Sequence, residues 1–309
     1  MTEKATREPK RVVGKGLKKA VFGKTYAAYF YIAPAFIFLG IFTYYAMAYN
    51  IHVSFFEWNG VSINKIFIGL NNYTRMFKDP YFILALKNTA IYFVITVPVQ
   101  AVFGLILAYC FQQNIFAKGL ARSIIFLPNV MALVVIGYVF SQMFNYQQGF
   151  INELLRQIGL GNLVRDWTGD PNTALYSVII ANIYTYVGFS MTLYIAGIVG
   201  IPKDVLEAAQ IDGGSEVKVI RYVILPLLRP THITVLILGI VGTLKTFDLV
   251  WLITKGGPGR SSEMLATLIY RSYILEYKAG YAAAISVIVL IIALGLSCLN
   301  LYIQRQGEY

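Results

Sequence analysis

The chain has 309 residues, of which 57% are hydrophobic, 15% aromatic and only 13% charged. Soluble domains carry about 25% charged residues, so the composition excludes a water-solvated globular domain and makes lipid the main solvent. Of the formal net charge of +11, more than half sits in the first 25 residues, where eight Lys/Arg face two Glu.

An apolar span follows that basic tail (residues 1–28) at once. The tail therefore reads as a topogenic, headgroup-binding segment and not as a nucleic-acid site. Tail and span together are too extended for a cleaved signal peptide. FGKT at 22–25 has the last residues of a phosphate-binding loop, but Lys18 stands where the loop needs glycine.

Crossing about 30 Å of hydrocarbon takes about 20 helical residues. Six stretches are long and apolar enough: 29–53, 88–111, 123–145, 174–199, 231–254 and 281–303. They predict an all-α membrane protein, with one membrane domain over 29–303 and a short C-terminal tail over 304–309. Pro34 and Pro98 fall inside spans, which lipid-embedded helices tolerate. Gly104, Gly137, Gly188, Gly239, Gly242 and Gly295 suit close helix contacts.

The basic tail predicts a cytoplasmic N-terminus, and six crossings then return the C-terminus to the same side. By that count the inside holds 15 Lys/Arg and the outside 10; without the tail the balance would be 7 to 10. The same parity places residues 201–230, IPKDVLEAAQIDGGSEVKVIRYVILPLLRP, on the cytoplasmic face.

This stretch carries eight charged residues between two apolar runs and reads as a hairpin of two short helices. Pro202 suits a first helical position, and Asp204 and Glu207 favour the positive helix start. Gly213-Gly214 can end the first helix, Ser215 can cap the second, and Pro226 and Pro230 close it. Ala208 and Ala209 keep one side flat enough for a partner's backbone.

No Ser/His/Asp or Cys/His grouping and no paired carboxylates within one span point to catalysis. His52 and His232 have no metal-ligand company, and Cys110 and Cys298 read as packing residues. The chain is expected to be no enzyme and to bind no metal or cofactor. Work against a gradient would draw on an ion or on a partner.

The fifth span contains Lys245 and Asp248, costly at mid-membrane by about 2.5–3.5 kcal/mol each on insertion scales. Two readings stand: a mutual ion pair at i, i+3, or one residue lining a solute path. At 100° per residue, Gly239, Gly242, Thr243 and Thr246 share a small, hydroxylated face suited to a polar solute. Lys245 lies at the edge of that face and Asp248 roughly opposite.

The hairpin resembles the EAA loop of binding-protein-dependent ABC importer permeases: Glu207-Ala208-Ala209, Gly213, then Val223-Ile224-Leu225-Pro226 at the family spacing. Val223, Ile220 and Gly214 depart from the usual isoleucine, phenylalanine and alanine without removing a charge or the turn. Gly69-Leu70-Asn71-Asn72-Tyr73, Lys87-Asn88-Thr89, Phe126-Leu127-Pro128, Gly188-Phe189, Gly256-Gly257-Pro258 and Gly280-Tyr281-Ala282-Ala283-Ala284 extend the resemblance to the sugar branch, of the maltose-permease first-subunit type.

The resemblance implies a type I importer permease fold and a multi-pass place in a bacterial cell membrane. It also implies a heterodimer with a second permease, two ATPase subunits that hold the ATP and Mg, an external solute-binding protein and a saccharide substrate. Asp204, Glu207, Ala208, Ala209, Asp212, Gly213, Leu225 and Pro226 would couple to the ATPase. Gly188, Gly239, Gly242, Thr243, Lys245 and Thr246 would line the substrate path. Lys245, where an uncharged residue is more usual, suggests an acidic, pectin-derived oligosaccharide such as a rhamnogalacturonan or galacturonan fragment. The alternatives are an ion-coupled secondary transporter, for which neither ion site nor inverted repeat is visible, and an ABC permease for a non-sugar solute.

Overall fold

The computed structural model describes residues 29–113, 116–212 and 214–305. The basic tail, Gly213 and residues 306–309 lie outside the described residues. The chain divides into two units between His52 and Val53. The described part of the first lies in the helix α1 (Tyr29–Val53), π-helical over Gly40–Tyr45. Phe30, Phe36, Phe38, Phe42 and Tyr45 leave it apolar around its circumference and exposed, which marks a lipid-solvated helix.

The second unit opens with a short antiparallel ribbon, β1 (Phe56–Glu57) and β2 (Ile66–Phe67), with Phe56 opposite Phe67. The amphipathic α2 (Asn71–Lys78) follows. Then comes α3 (Pro80–Cys110), 31 residues long and about 46 Å end to end at 1.5 Å per residue. It starts eight residues before the expected 88 because Asp79 caps it, accepting the Tyr81 N–H at 2.9 Å, with Pro80 at the first helical position.

The face chemistry of α3 is inverted relative to a soluble helix. Asn88, Thr89, Tyr92, Thr96 and Gln100 are buried, whereas Val94, Val102, Phe103 and Ile106 are exposed. Apolar residues outward and polar ones inward is the arrangement that hydrocarbon solvent selects, because an unpaired polar group facing lipid has no water to compensate it.

The expected third span is two helices, α4 (Lys118–Val130) and α5 (Leu133–Met143), meeting at 95° across Met131 and Ala132. Beyond α6 (Phe150–Gln157) runs α7 (Ala174–Val199). It forms with α3 the most extensive helix pair. At Gly104 an added Cβ would lie 2.8–2.9 Å from Ser190 and Met191, so glycine sets how closely α3 and α7 approach.

The hairpin is α8 (Lys203–Ile211) and α9 (Glu216–Leu227). Pro226 lies inside α9 and does not close it. A π-helical segment at Ile220–Ile224 precedes it, with the Leu225 N–H donating to the Ile220 carbonyl. A 63° bend follows, and Pro230 sits in the first turn of α10 (Arg229–Lys245). The expected fifth span then breaks at Thr246-Phe247 before α11 (Asp248–Ile253). After α12 (Leu265–Leu275), α13 (Ala279–Arg305) completes the fold. Among the described residues four helices are long and apolar enough to cross a membrane, and each bent pair adds one more.

Candidate functional site

Three helices surround a cavity of about 290 Å³, close to the ~300–1,000 Å³ of small-molecule sites. Helix α3 contributes Tyr92, Thr96, Val97 and Gln100, and α7 contributes Asn182, Tyr186, Phe189, Ser190 and Leu193. From α10 and its C-cap come Val235, Leu238, Gly239, Gly242, Thr243 and Thr246; Asn129 of α4 completes the wall. Each set recurs at helical spacing, which is why residues far apart in sequence converge.

The wall carries no charge among the described residues. Its polar groups are hydroxyls and amides, and several are already held. Gln100 Nε2 donates to Asn182 Oδ1 at 2.9 Å, and the Thr96 hydroxyl to the Tyr92 carbonyl at 2.7 Å. Thr246 Oγ1 donates to the Gly242 carbonyl at 2.9 Å, closing the last turn of α10. The Tyr92 side chain is 1% exposed, and its hydroxyl has the Thr246 side chain as polar neighbour without a well-formed hydrogen bond. A buried hydroxyl left without a well-formed bond costs about 1–3 kcal/mol, and Tyr92 and Thr246 both belong to the cavity wall.

The two glycines of the expected face differ. Gly242 has nothing within 4 Å of an added Cβ and opens on the cavity. At Gly239 the same atom would lie 2.5 Å from the Val97 side chain, so here α10 packs closely on α3. Gly188 is buried but absent from the lining: its Cβ position would lie 2.3 Å from the Ile125 carbonyl oxygen, against α4.

Lys245 is exposed and lies outside the lining as well. Among the described residues no ion pair joins it to Asp248. The two charges bracket a helix break instead. Lys245 occupies the last turn of α10 and Asp248 the first turn of α11, where helix dipoles favour a cation and an anion respectively.

At the hairpin, Asp204, Glu207, Ala208 and Asp212 are exposed, as is Pro226. Ala209 and Leu206 pack inward against a core of Ala108, Met191, Tyr194, Ile198, Val219 and Ile224. The charged side of α8 is thus presented outward while its apolar side is anchored to α3 and α7. Leu225 is half-buried, and Gly213 lies outside the described residues. At the other end of α3, Asn88 Nδ2 donates to the carbonyls of Ser261 (2.7 Å) and Glu263 (2.9 Å). Glu263, itself 1% exposed, pairs with Arg271 at 2.8 Å and Arg260 at 3.6 Å.

Sequence periodicity identified the α10 contribution but missed those of α3 and α7. The signal was present: Tyr92, Thr96 and Gln100 lie at i, i+4, i+8 within an apolar run. Asn182 and Tyr186 repeat the pattern.

Lipid-facing helices around an uncharged polar cavity, with a charged hairpin at one end, define a membrane permease. The chain belongs to the family described as binding-protein-dependent transport system inner membrane component, whose model matches residues 100–306. It is 36% identical over 282 residues to the probable ABC transporter permease protein YurN of Bacillus subtilis (strain 168), covering 91% of this chain and 96% of that one. It is 31% identical to the sulfoquinovosyl glycerol transport system permease protein SmoG of Agrobacterium fabrum, covering 90% of each. Among solved structures, a bacterial ABC transporter involved in import of the acidic polysaccharide alginate aligns with TM-score 0.79 and 22% identity, over 94% of this chain and 99% of that one. The fold is that of a type I importer permease.

Proposed function

We propose that this chain is the translocation-pathway subunit of an ATP-driven sugar importer. It would form one half of a heterodimeric pathway with a second permease. Two ATPase subunits dock on the hairpin through Asp204, Glu207, Ala208, Ala209, Asp212 and Gly213, with Leu225 and Pro226 holding the hairpin's second arm. An external solute-binding protein delivers the saccharide. The N- and C-termini and the hairpin face the cytoplasm, as the basic tail implies. ATP binding closes the ATPases, moves the hairpin and turns the cavity outward; hydrolysis resets it.

The observation that carries this reading is the cavity wall of hydroxyls and amides with no charged side chain among its lining residues. A sugar offers many hydroxyls and no required counter-charge, and such a wall complements it. An ion-coupled carrier calls for a carboxylate or another ion ligand in the path, and the lining has no carboxylate. Purified with the second permease, the ATPases and the solute-binding protein in proteoliposomes, the chain should support uptake that requires ATP and persists without an ion gradient. Glu207→Lys should detach the ATPase while leaving membrane insertion intact. Uptake driven by an ion gradient alone would overturn the reading.

The finer reading is an acidic saccharide, such as a galacturonan fragment. It is supported by Lys245, an exposed cation with no carboxylate partner among the described residues, directly before the cavity residue Thr246. The relative named for sulfoquinovosyl glycerol leans the same way. Lys245→Met should weaken uptake of digalacturonate and leave lactose uptake unchanged. Equal digalacturonate uptake by both proteins would remove Lys245 from the path.

A further inference from the structure

Glu216, the first residue of α9, carries a polar link between the hairpin and the membrane helices. The Tyr109 hydroxyl donates to Glu216 Oε1 at 2.6 Å, across 107 residues of chain. Among the described side chains of 203–224, no other hydrogen bond reaches another element; the rest of the attachment is apolar packing and the chain's own continuity with α7 and α10. Around the link lies an open space of about 580 Å³, bordered by Tyr109, Gln112, Leu206 and Glu216. The hairpin thus has room to move against α3, and the hydrogen bond is a fixed point within that room.

Tyr109 occupies the last turn of the helix whose middle supplies Tyr92, Thr96 and Gln100 to the cavity. From Tyr109 back to Tyr92 is roughly 26 Å along a continuous helix. The close approach at Gly104 locks α3 to α7 between those points, and α7 supplies Asn182, Tyr186 and Ser190 to the same cavity. A pull on Tyr109 therefore acts on two of the three cavity helices together, because close-packed helices shift as units and do not deform.

We infer that Tyr109 is a positioning residue: through Glu216 it transmits movement of the hairpin to the cavity wall. This rests on the reading of the hairpin as the ATPase dock. The hydroxyl-to-carboxylate bond is charge-assisted, short and directional, which apolar packing alone is not. It ties one end of α3 to α9 while the opposite end stays clamped by Asn88 to the 261–263 loop.

The test uses the full transporter in lipid nanodiscs, with Cys110 and Cys298 replaced by alanine and a reporter Gly242→Cys in the cavity. The reporter's labelling rate by a small charged maleimide is read with and without ATP and Mg, and co-purification of the ATPase is the control. In the parent protein ATP should change the rate. Tyr109→Phe, which keeps the ring, should shrink that ATP-induced change about fivefold or more with co-purification unchanged. Glu216→Ala should do the same, and Glu216→Gln, which retains an acceptor oxygen, should restore the response. A full ATP response in both Tyr109→Phe and Glu216→Ala overturns this inference alone. Failure of the parent chain to co-purify with the ATPase overturns the docking reading and this inference with it.

Discussion

Gly188 and Gly242 look alike in sequence, each a glycine in an apolar run, yet the structure separates their roles by a margin that can be measured. A Cβ added at Gly188 would lie 2.3 Å from the Ile125 carbonyl oxygen and 2.9 Å from the Phe126 Cα, where ordinary contact is 3.4–4 Å. The obstacle is main chain, so no rotamer relieves it. Either α4 and α7 separate by about an ångström or the contact stays compressed. Overpacking costs about 1–3 kcal/mol, here near the upper end, and about 1 kcal/mol returns because alanine is the better helix former. The net for Gly188→Ala is a loss of about 2 kcal/mol, or about 3 °C in Tm at the per-residue unfolding entropy for 309 residues. Gly242→Ala meets nothing within 4 Å and should melt at or slightly above the parent while narrowing the cavity. Thermal unfolding of both purified variants in the same detergent decides it. Should Gly188→Ala melt with the parent, or Gly242→Ala fall as far as Gly188→Ala, the division into packing and path residues is wrong.

The cavity makes a second, less intuitive prediction. Tyr92→Phe removes a buried hydroxyl with no well-formed hydrogen bond and should raise stability by about 1 kcal/mol while lowering sugar uptake; loss of stability would mean that its neighbour Thr246 already satisfies the hydroxyl. Asn88→Ala strips the 261–263 loop of both side-chain donors and should cost about 2–4 kcal/mol, with amide exchange accelerated there and not at the hairpin. At Glu263, burial pushes the carboxyl above its ordinary value near 4.5, against the opposing pull of Arg271 and Arg260. The folded state then holds the proton more tightly than the unfolded chain, so this group's contribution is greatest below the ordinary value and declines as pH rises. The stability margin of the parent over Glu263→Gln should narrow between pH 4 and 7. A widening margin would show that the arginine pairs outweigh burial.

Much of the fold was legible because hydrocarbon solvent leaves a coarse signature, long apolar runs separated by charge. The run over 174–199 coincides with α7 (Ala174–Val199) because nothing within it offers a competing stop. The breaks within expected spans share a cause. Apolar length does not distinguish one straight helix from two bent ones, since both halves of a break face lipid or core. The 95° turn at Met131-Ala132 has Pro128 nearby, but the same residue type at Pro98 sits inside an unbroken α3. What separates the two is packing: α3 is held along its length by α7, whereas α4 lies against α7 and α5 against α11. The early start of α3, by contrast, was written locally in Asp79-Pro80 and could have been read.

The break between α10 and α11 shows how a local rule can be masked by a global one. Treated as part of a single membrane span, Lys245 and Asp248 were two costly charges that called for a pair or a watery path. Treated as helix ends, each gains about 0.3–1 kcal/mol from its helix dipole, which offsets part of that cost without a mutual ion pair. A cation in a last turn and an anion in a first turn are the commonest electrostatic punctuation a chain has, and the extended Thr246 and the Phe247 between them complete it. Phe247 stacks on Trp251 at 5.7 Å and meets Tyr270 at 4.9 Å, which fixes the corner. The break has a consequence for the cavity. Released from helical geometry, Thr246 still donates back to the Gly242 carbonyl and reaches the lining, so the face expected from 100° periodicity survives one residue beyond the helix that defined it. Phe247→Ala should loosen the corner and move Thr246 without touching α3 or α7. Reporter labelling at Gly242→Cys should then rise even without ATP, and an unchanged rate would mean that Thr246 is positioned by α10 alone.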